Sequence, residues 1–217
     1  KLKKEVSETL RRTWKGLKGE RLALLKLLSR FELSNQQAER WFKPEVRESA
    51  GIERSDSEIL ANPYLLYEDD RFADSGIADE WPDRVSLRTV DRGAIPAAVV
   101  QEAHPLPKPS VLDGPLDPRR VRALVVEQLE AAAARGDSLA ARSAVVTKIL
   151  EMDIDPPCKV GGDLLEAIAD DLQPAVRPAR LASGGPAFQL DRFAGLRKTI
   201  SEEVRRRLAG KAHVVPA

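Results

Sequence analysis

The sequence predicts a mainly α-helical protein built as two small domains, the second including one β-hairpin. Three observations carry that expectation. Apolar residues recur at spacings of three and four over most of the chain, the signature of amphipathic helices. Six of the 15 prolines fall between Pro96 and Pro118, where regular structure must be interrupted. Two short runs of strand character flank a Ser183-Gly184-Gly185 turn. The expected division is a domain of short helices over 1–100, a proline-rich linker over 101–117 and a second domain over 118–217.

In the first domain, residues 5–17 read as an amphipathic helix. Val6, Leu10, Trp14 and Leu17 share one face, and Lys4, Arg11, Lys15 and Lys18 gather on another. That basic face has two readings, contact with phosphates or an ordinary solvated surface. Arg21 to Phe31 is a second helix, apolar almost all round and therefore expected at the centre of the core. Ser34 is placed to cap a short helix from Asn35 to Phe42, with Ala38, Trp41 and Phe42 inward and Trp41 a core residue. Ser55 to Leu60 is a further short helix. Asn62-Pro63 then restarts the chain, asparagine as cap and proline at the first helical position, with Tyr64, Leu65 and Leu66 apolar.

The run from His104 to Pro109 alternates with proline, which lacks a donor and restricts its predecessor, so 101–117 reads as an extended tether. Beyond it, Asp117-Pro118 starts a helix reaching Ala134, striped by Val121, Leu124, Val125, Leu129 and Ala132. A second helix is expected over 139–151 with Val145, Val146, Ile149 and Leu150 inward. A third opens at Gly162-Asp163 and carries Leu164, Leu165, Ile168 and Leu172. Residues 174–190 form the hairpin. Asp191 caps a long last helix with Phe193, Leu196, Ile200, Val204 and Leu208 expected inward. Three helices, a hairpin and a further helix outline a winged-helix-like α+β domain. Its third helix shows Asp163, Glu166, Asp170 and Asp171 without lysine or arginine, which would repel phosphate. Arg177 and Arg180 on the wing could meet phosphates. The Arg205-Arg206-Arg207 run suits the negative end of a helix without any ligand.

Composition narrows the function classes. The chain has 217 residues, with 35 Lys+Arg against 34 Asp+Glu for a net charge of +1. The leucine-rich stretch Leu22–Leu28 is short and contains Lys26, so neither a membrane span nor a signal segment is expected. Cys158 is the single cysteine and His104 and His213 lie far apart, leaving little material for disulfides or a metal site. A cytoplasmic protein is the expectation. Because Lys1 is not methionine, the sequence also reads as part of a longer chain. Charge is segregated: residues 1–50 carry net +6, 51–118 net −8, 119–190 net −1 and 191–217 net +4. Basic ends around an acidic middle mean either an anionic partner or segments that neutralise one another.

The string Ser34-Asn35-Gln36-Gln37-Ala38, followed by Glu58-Ile59-Leu60-Ala61-Asn62-Pro63-Tyr64-Leu65-Leu66, resembles the region that precedes the motor in RecD-like superfamily 1 DNA helicases, the exodeoxyribonuclease V alpha-subunit-like proteins. The likeness covers roughly residues 20–95. In that family helix-hairpin-helix units carry an Asn-Pro-Tyr-apolar signature, then a Gly-x-Gly hairpin and an apolar-Ala-Asp ending. Here Val85 to Asp91 matches the ending, while Gly76-Ile77 is displaced by an acidic insert through Glu80, Trp81 and Asp83, and the Gly-x-Gly spacing is absent. A hairpin of that kind grips phosphate with backbone amides, so the departure bears directly on DNA binding.

Searches for catalytic patterns find none. Gly195-Leu196-Arg197-Lys198-Thr199 lacks the glycine that a phosphate loop places before its lysine. Glu68-Asp69-Asp70, and Asp153 with Asp155, are carboxylate groups that solvated turns explain better than magnesium. The resemblance therefore implies a non-catalytic N-terminal piece of an ATP-dependent helicase of DNA repair or recombination. ATP and magnesium would belong to a motor beyond Ala217, and no cofactor to this piece. The expected partners are DNA, through phosphates, and the rest of the helicase chain, with no membrane. Candidate DNA-contacting residues are Lys4, Arg11, Lys15, Lys18, Arg88, Arg177 and Arg180. A protein-interaction scaffold without nucleic-acid contact is the alternative. A winged-helix regulator would need a basic third helix that the sequence lacks.

Overall fold

A computed structural model describes residues 8–71 and 83–210. Lys4, Val6, the Gly76-Ile77 hairpin, Glu80, Trp81 and His213 lie outside the described residues. The fold is mainly helical with a small three-stranded antiparallel sheet. Two compact units are present, one formed by residues up to Ala123 with Asp153–Pro157, the other by Leu124–Met152 with the residues from Cys158 onward.

The first unit contains α1 (Glu8–Gly16), α2 (Gly19–Leu28), α3 (Asn35–Phe42), α4 (Pro44–Ser49), α5 (Asp56–Ala61), α6 (Leu65–Glu68), α7 (Leu87–Ala94) and α8 (Ala98–Ala103). Such short helices need their ends satisfied by side chains, because an unsatisfied first turn is a large fraction of the whole. Ser34 and Ser55 make reciprocal capping boxes with Gln37 and Glu58, and Ser86 caps α7 through Thr89 N. Asn62 Oδ1 accepts from Tyr64 N at 3.1 Å, fixing the turn into α6. Leu24 and Leu27 of α2, with Trp41, Ile59, Tyr64 and Val90, form the buried centre. α1 departs from expectation: Trp14 is 53% exposed, so the apolar stripe of this helix is not covered there.

Residues 101–117 belong to the first unit and are not an extended tether. Proline interrupts helix without preventing packing, and the segment holds the end of α8 and a 3₁₀ turn at Lys108–Ser110. Leu106 and Ser110 are buried, and Ser110 Oγ donates to Leu60 O at 2.7 Å. The expected solvated turn at 68–70 is also corrected. Glu68 and Asp70 are buried, each facing an arginine brought from elsewhere in the chain.

The second unit holds the later part of α9 (Pro118–Ala134), β1 (Ala140–Ala141), α10 (Arg142–Leu150), α11 (Gly162–Ala167), β2 (Val176–Arg180), β3 (Pro186–Leu190) and α12 (Asp191–Leu208). The strand order is β1-β3-β2. β1 is a departure from the helix expected over 139–151: Ala140 and Ala141 pair with Phe188 and Ala187, delaying the helix to Arg142. Leu150, expected inward, is exposed at the end of α10. Central strand β3 is buried from Ala187 to Leu190, whereas edge strand β2 buries Val176 and exposes Arg177, Pro178 and Arg180. Proline and arginine on an edge are compatible because the outer side needs no ladder bonds.

The last helix corrects a larger expectation. Arg192 anchors its start to Glu130 with a bond of 2.7 Å. Leu196, Ile200, Val204 and Leu208 are 55%, 61%, 49% and 80% exposed. The stripe is apolar at i,i+4 spacing, but no described residue covers it.

Among the described glycines, Gly93 makes the tightest approach. A Cβ there would fall 2.8 Å from Arg30 O and closer still to the Phe31 ring. Because backbone cannot yield, Gly93→Ala is expected to cost about 1–3 kcal/mol in urea unfolding, although alanine is the better helix former.

Candidate nucleic-acid interface

The candidate DNA-contacting cations occupy three separate elements. Arg11 and Lys15 lie one turn apart on α1, Lys18 follows in the connection to α2, and all three are exposed. Arg88 is exposed on α7, with Nη1 3.7 Å from Asp153 Oδ2. Arg177 and Arg180 lie on β2, three residues apart and therefore on opposite faces of the strand. Arg177 pairs with Asp191, and Arg180 Nη1 donates to Gly184 O at 3.2 Å across the turn. On α11, Asp163 and Glu166 are exposed, and Glu166 accepts from Arg142 Nη1 at 3.0 Å. The hairpin thus carries two arginines on β2, one of them paired with a carboxylate.

What presents α7 is a buried charged network absent from the sequence reading. Asp91 on α7 receives Arg120 Nε and Nη2, both at 2.8 Å, and Tyr64 O–H at 2.6 Å. Arg120 also donates to Pro115 O at 3.0 Å and Pro156 O at 2.7 Å. Burial, then the adjacent Asp91 carboxylate, hold the Tyr64 hydroxyl well above the usual phenol range, so it stays a proton donor. The signature residues Tyr64 and Asp91 therefore meet directly, across 27 residues of chain.

The acidic middle segment is neutralised by its neighbours. Arg40 Nη2 donates to Asp70 Oδ2 at 2.9 Å, and the same oxygen accepts from Val85 N at 2.7 Å. Arg47 and Arg21 both hold Asp56, and Arg122 clasps Glu68 with bonds of 3.0 and 2.8 Å. Arg119 holds Asp117 while donating to Ala61 O at 2.7 Å. Burial works to raise the Asp56 and Asp117 carboxyls, but hydrogen bonds from arginine outweigh it and both lie below the usual range. At Glu68 burial wins over Arg122, and the carboxyl is pushed up. Apart from Arg119 with Asp117 and Arg47 with Asp56, these partners lie far apart in sequence, so no local pattern marks them. The complementary net charges of residues 1–50 and 51–118 were the available signal.

Removing one partner of a buried pair leaves the other uncompensated. Asp91→Ala is expected to destabilise by about 3–5 kcal/mol and Tyr64→Phe by about 1 kcal/mol; urea unfolding of both and of the double variant measures their coupling. Acid gives a second check. Ser55 N, then the Ser55 hydroxyl and Arg54, lower the Glu58 carboxyl from 4.5 to about 2. A depressed carboxyl stabilises above its unfolded value, and that contribution disappears as pH falls through the folded one. Stability of the wild type is expected to decline between about pH 4.5 and 2 more steeply than that of Glu58→Gln. Comparison with known proteins finds no matching family model, no matching curated protein and no matching solved structure.

Proposed function

We propose that this chain is the non-catalytic N-terminal region of a RecD-like ATP-dependent DNA helicase, scaffolding its motor and assisting DNA engagement. The observation that carries the reading is the Tyr64–Asp91 contact: the Asn-Pro-Tyr turn and the ending at Asp91 are one buried physical unit, closed by Arg120. The second unit supports a winged-helix-like reading. Its elements run helix, short strand, two helices and hairpin, with the first strand pairing the last. ATP and magnesium would be held by the motor. The exposed stripe Leu196, Ile200, Val204 and Leu208 is the surface this reading gives to that motor.

DNA contact would be made through phosphates, by the exposed cations of α1 and by Arg180 on the wing. The alternative is a protein-interaction scaffold without nucleic-acid contact. It is favoured by the acidic α11 and by the pairing of Arg177 with Asp191.

Fluorescence anisotropy with labelled single-stranded, duplex and forked DNA across a salt series separates the two. The helicase reading expects affinity to fall linearly with salt on logarithmic axes, by about 0.9 in slope per duplex phosphate contacted. Reversing Lys4, Arg11 and Lys15 together should then lower both affinity and slope. Absence of binding at low salt would leave the scaffold alone standing.

A further inference from the structure

A cleft of about 760 Å³ opens in the first unit between the C-terminal turns of α2 and α7 and the helix α8. Its volume is in the range of small-molecule sites. Lys26, Arg30, Arg92 and His104 line it, and every ionisable side chain of the lining is a base. The chain as a whole is balanced, and residues 51–118 are acidic, so a lining without any carboxylate is a local concentration of positive charge.

Arg30 is held in place by backbone carbonyls. Its Nη1 donates to the carbonyls of His104 and Val100, which fixes the guanidinium against the end of α8. Its Nη2 is buried and, among the described residues, has no acceptor. Arg92 pairs with Glu32 at 3.2 Å, but both side chains are more than two-thirds exposed, and such pairs contribute little. Arg92 can therefore exchange Glu32 for a better anion. Gly93 lets the α7 backbone rest against Phe31 and Arg30 O, and Arg30, Arg92 and Gly93 all line the cleft.

We infer that this cleft is a phosphate-binding site. Three cations with several donors each match the multiple oxygens and the high charge of a phosphate group better than a single carboxylate. Two sources share that chemistry, the phosphodiester backbone of a nucleic-acid strand and a free phosphate compound. The strand source rests on the DNA reading above; the free-phosphate source does not.

The double variant Lys26→Gln/Arg92→Gln tests the site, because both residues are exposed and outside the core. Its melting temperature in chloride reports that folding is intact. In one arm, inorganic phosphate replaces chloride at constant ionic strength. The wild type is expected to gain about 3–6 °C at ten times Kd, and the double variant to gain nothing. In the other arm, labelled oligothymidine is titrated across a salt series, where the slope should drop by about one for each cation removed. A lowered slope assigns the site to a strand. An unchanged slope with a phosphate shift confined to the wild type assigns it to a free phosphate compound. If the double variant matches the wild type in both arms, the site is refuted, even where the wild type binds DNA through other cations. If the wild type binds no DNA but responds to phosphate, the site stands and the DNA reading falls.

Discussion

The Asp91–Arg120 pair is the constraint on which the first unit depends. Both side chains are almost fully buried, so their separation from water is tolerable only because every strong donor and acceptor finds a partner. Tyr64 supplies one hydrogen bond, and the carbonyls of Pro115 and Pro156 receive two more. One carboxylate thereby joins α7, the turn before α6, the start of α9 and two proline-containing loops. A hydrophobic contact at the same place would tolerate sliding. A bidentate guanidinium–carboxylate pair does not, and this sets the register of the short helices around it.

The same logic extends through the unit. Arginines of the basic first segment and of residues 119–122 meet carboxylates of the acidic middle, at Asp56, Asp70, Asp91 and Glu68. Short helices bury too little apolar surface each to specify their mutual positions, and paired charges add that specificity. The arginines paired with buried carboxylates are held within the fold, whereas Lys15, Lys18, Lys26 and Arg92 of the same unit are exposed.

In the second unit, packing and surface are divided differently. The central strand β3 is buried, the edge strand β2 presents arginine and proline, and α12 leaves a stripe of leucine, isoleucine and valine uncovered. An exposed apolar stripe at regular helical spacing is a place for another surface. In the same unit α11 carries exposed Asp163 and Glu166, and the edge strand β2 carries exposed Arg177 and Arg180.

The sequence by itself determined much of the local structure: the helix starts at Ser34 and Ser55 and the hairpin around Gly184 follow from short-range chemistry legible in a few adjacent residues, whereas Asn62-Pro63 makes a turn and the helix expected there begins only at Leu65. The mainly helical class and the core roles of Leu24, Trp41 and Ile59 were legible from apolar spacing. Periodicity could not tell which apolar faces are covered. Leu196 to Leu208 and Trp14 have the pattern of core residues and lie exposed, because burial depends on what stands opposite and the pattern does not contain that. Nor could it mark the strand at Ala140–Ala141, whose partners lie more than forty residues away. Residues 101–117 read as a tether because proline forbids helix, yet they pack through Leu106 and Ser110. Only the tertiary structure decided which charges meet. Tyr64, Asp91 and Arg120 are separated by long stretches of chain, and their attraction becomes strong only once the fold has removed the water between them.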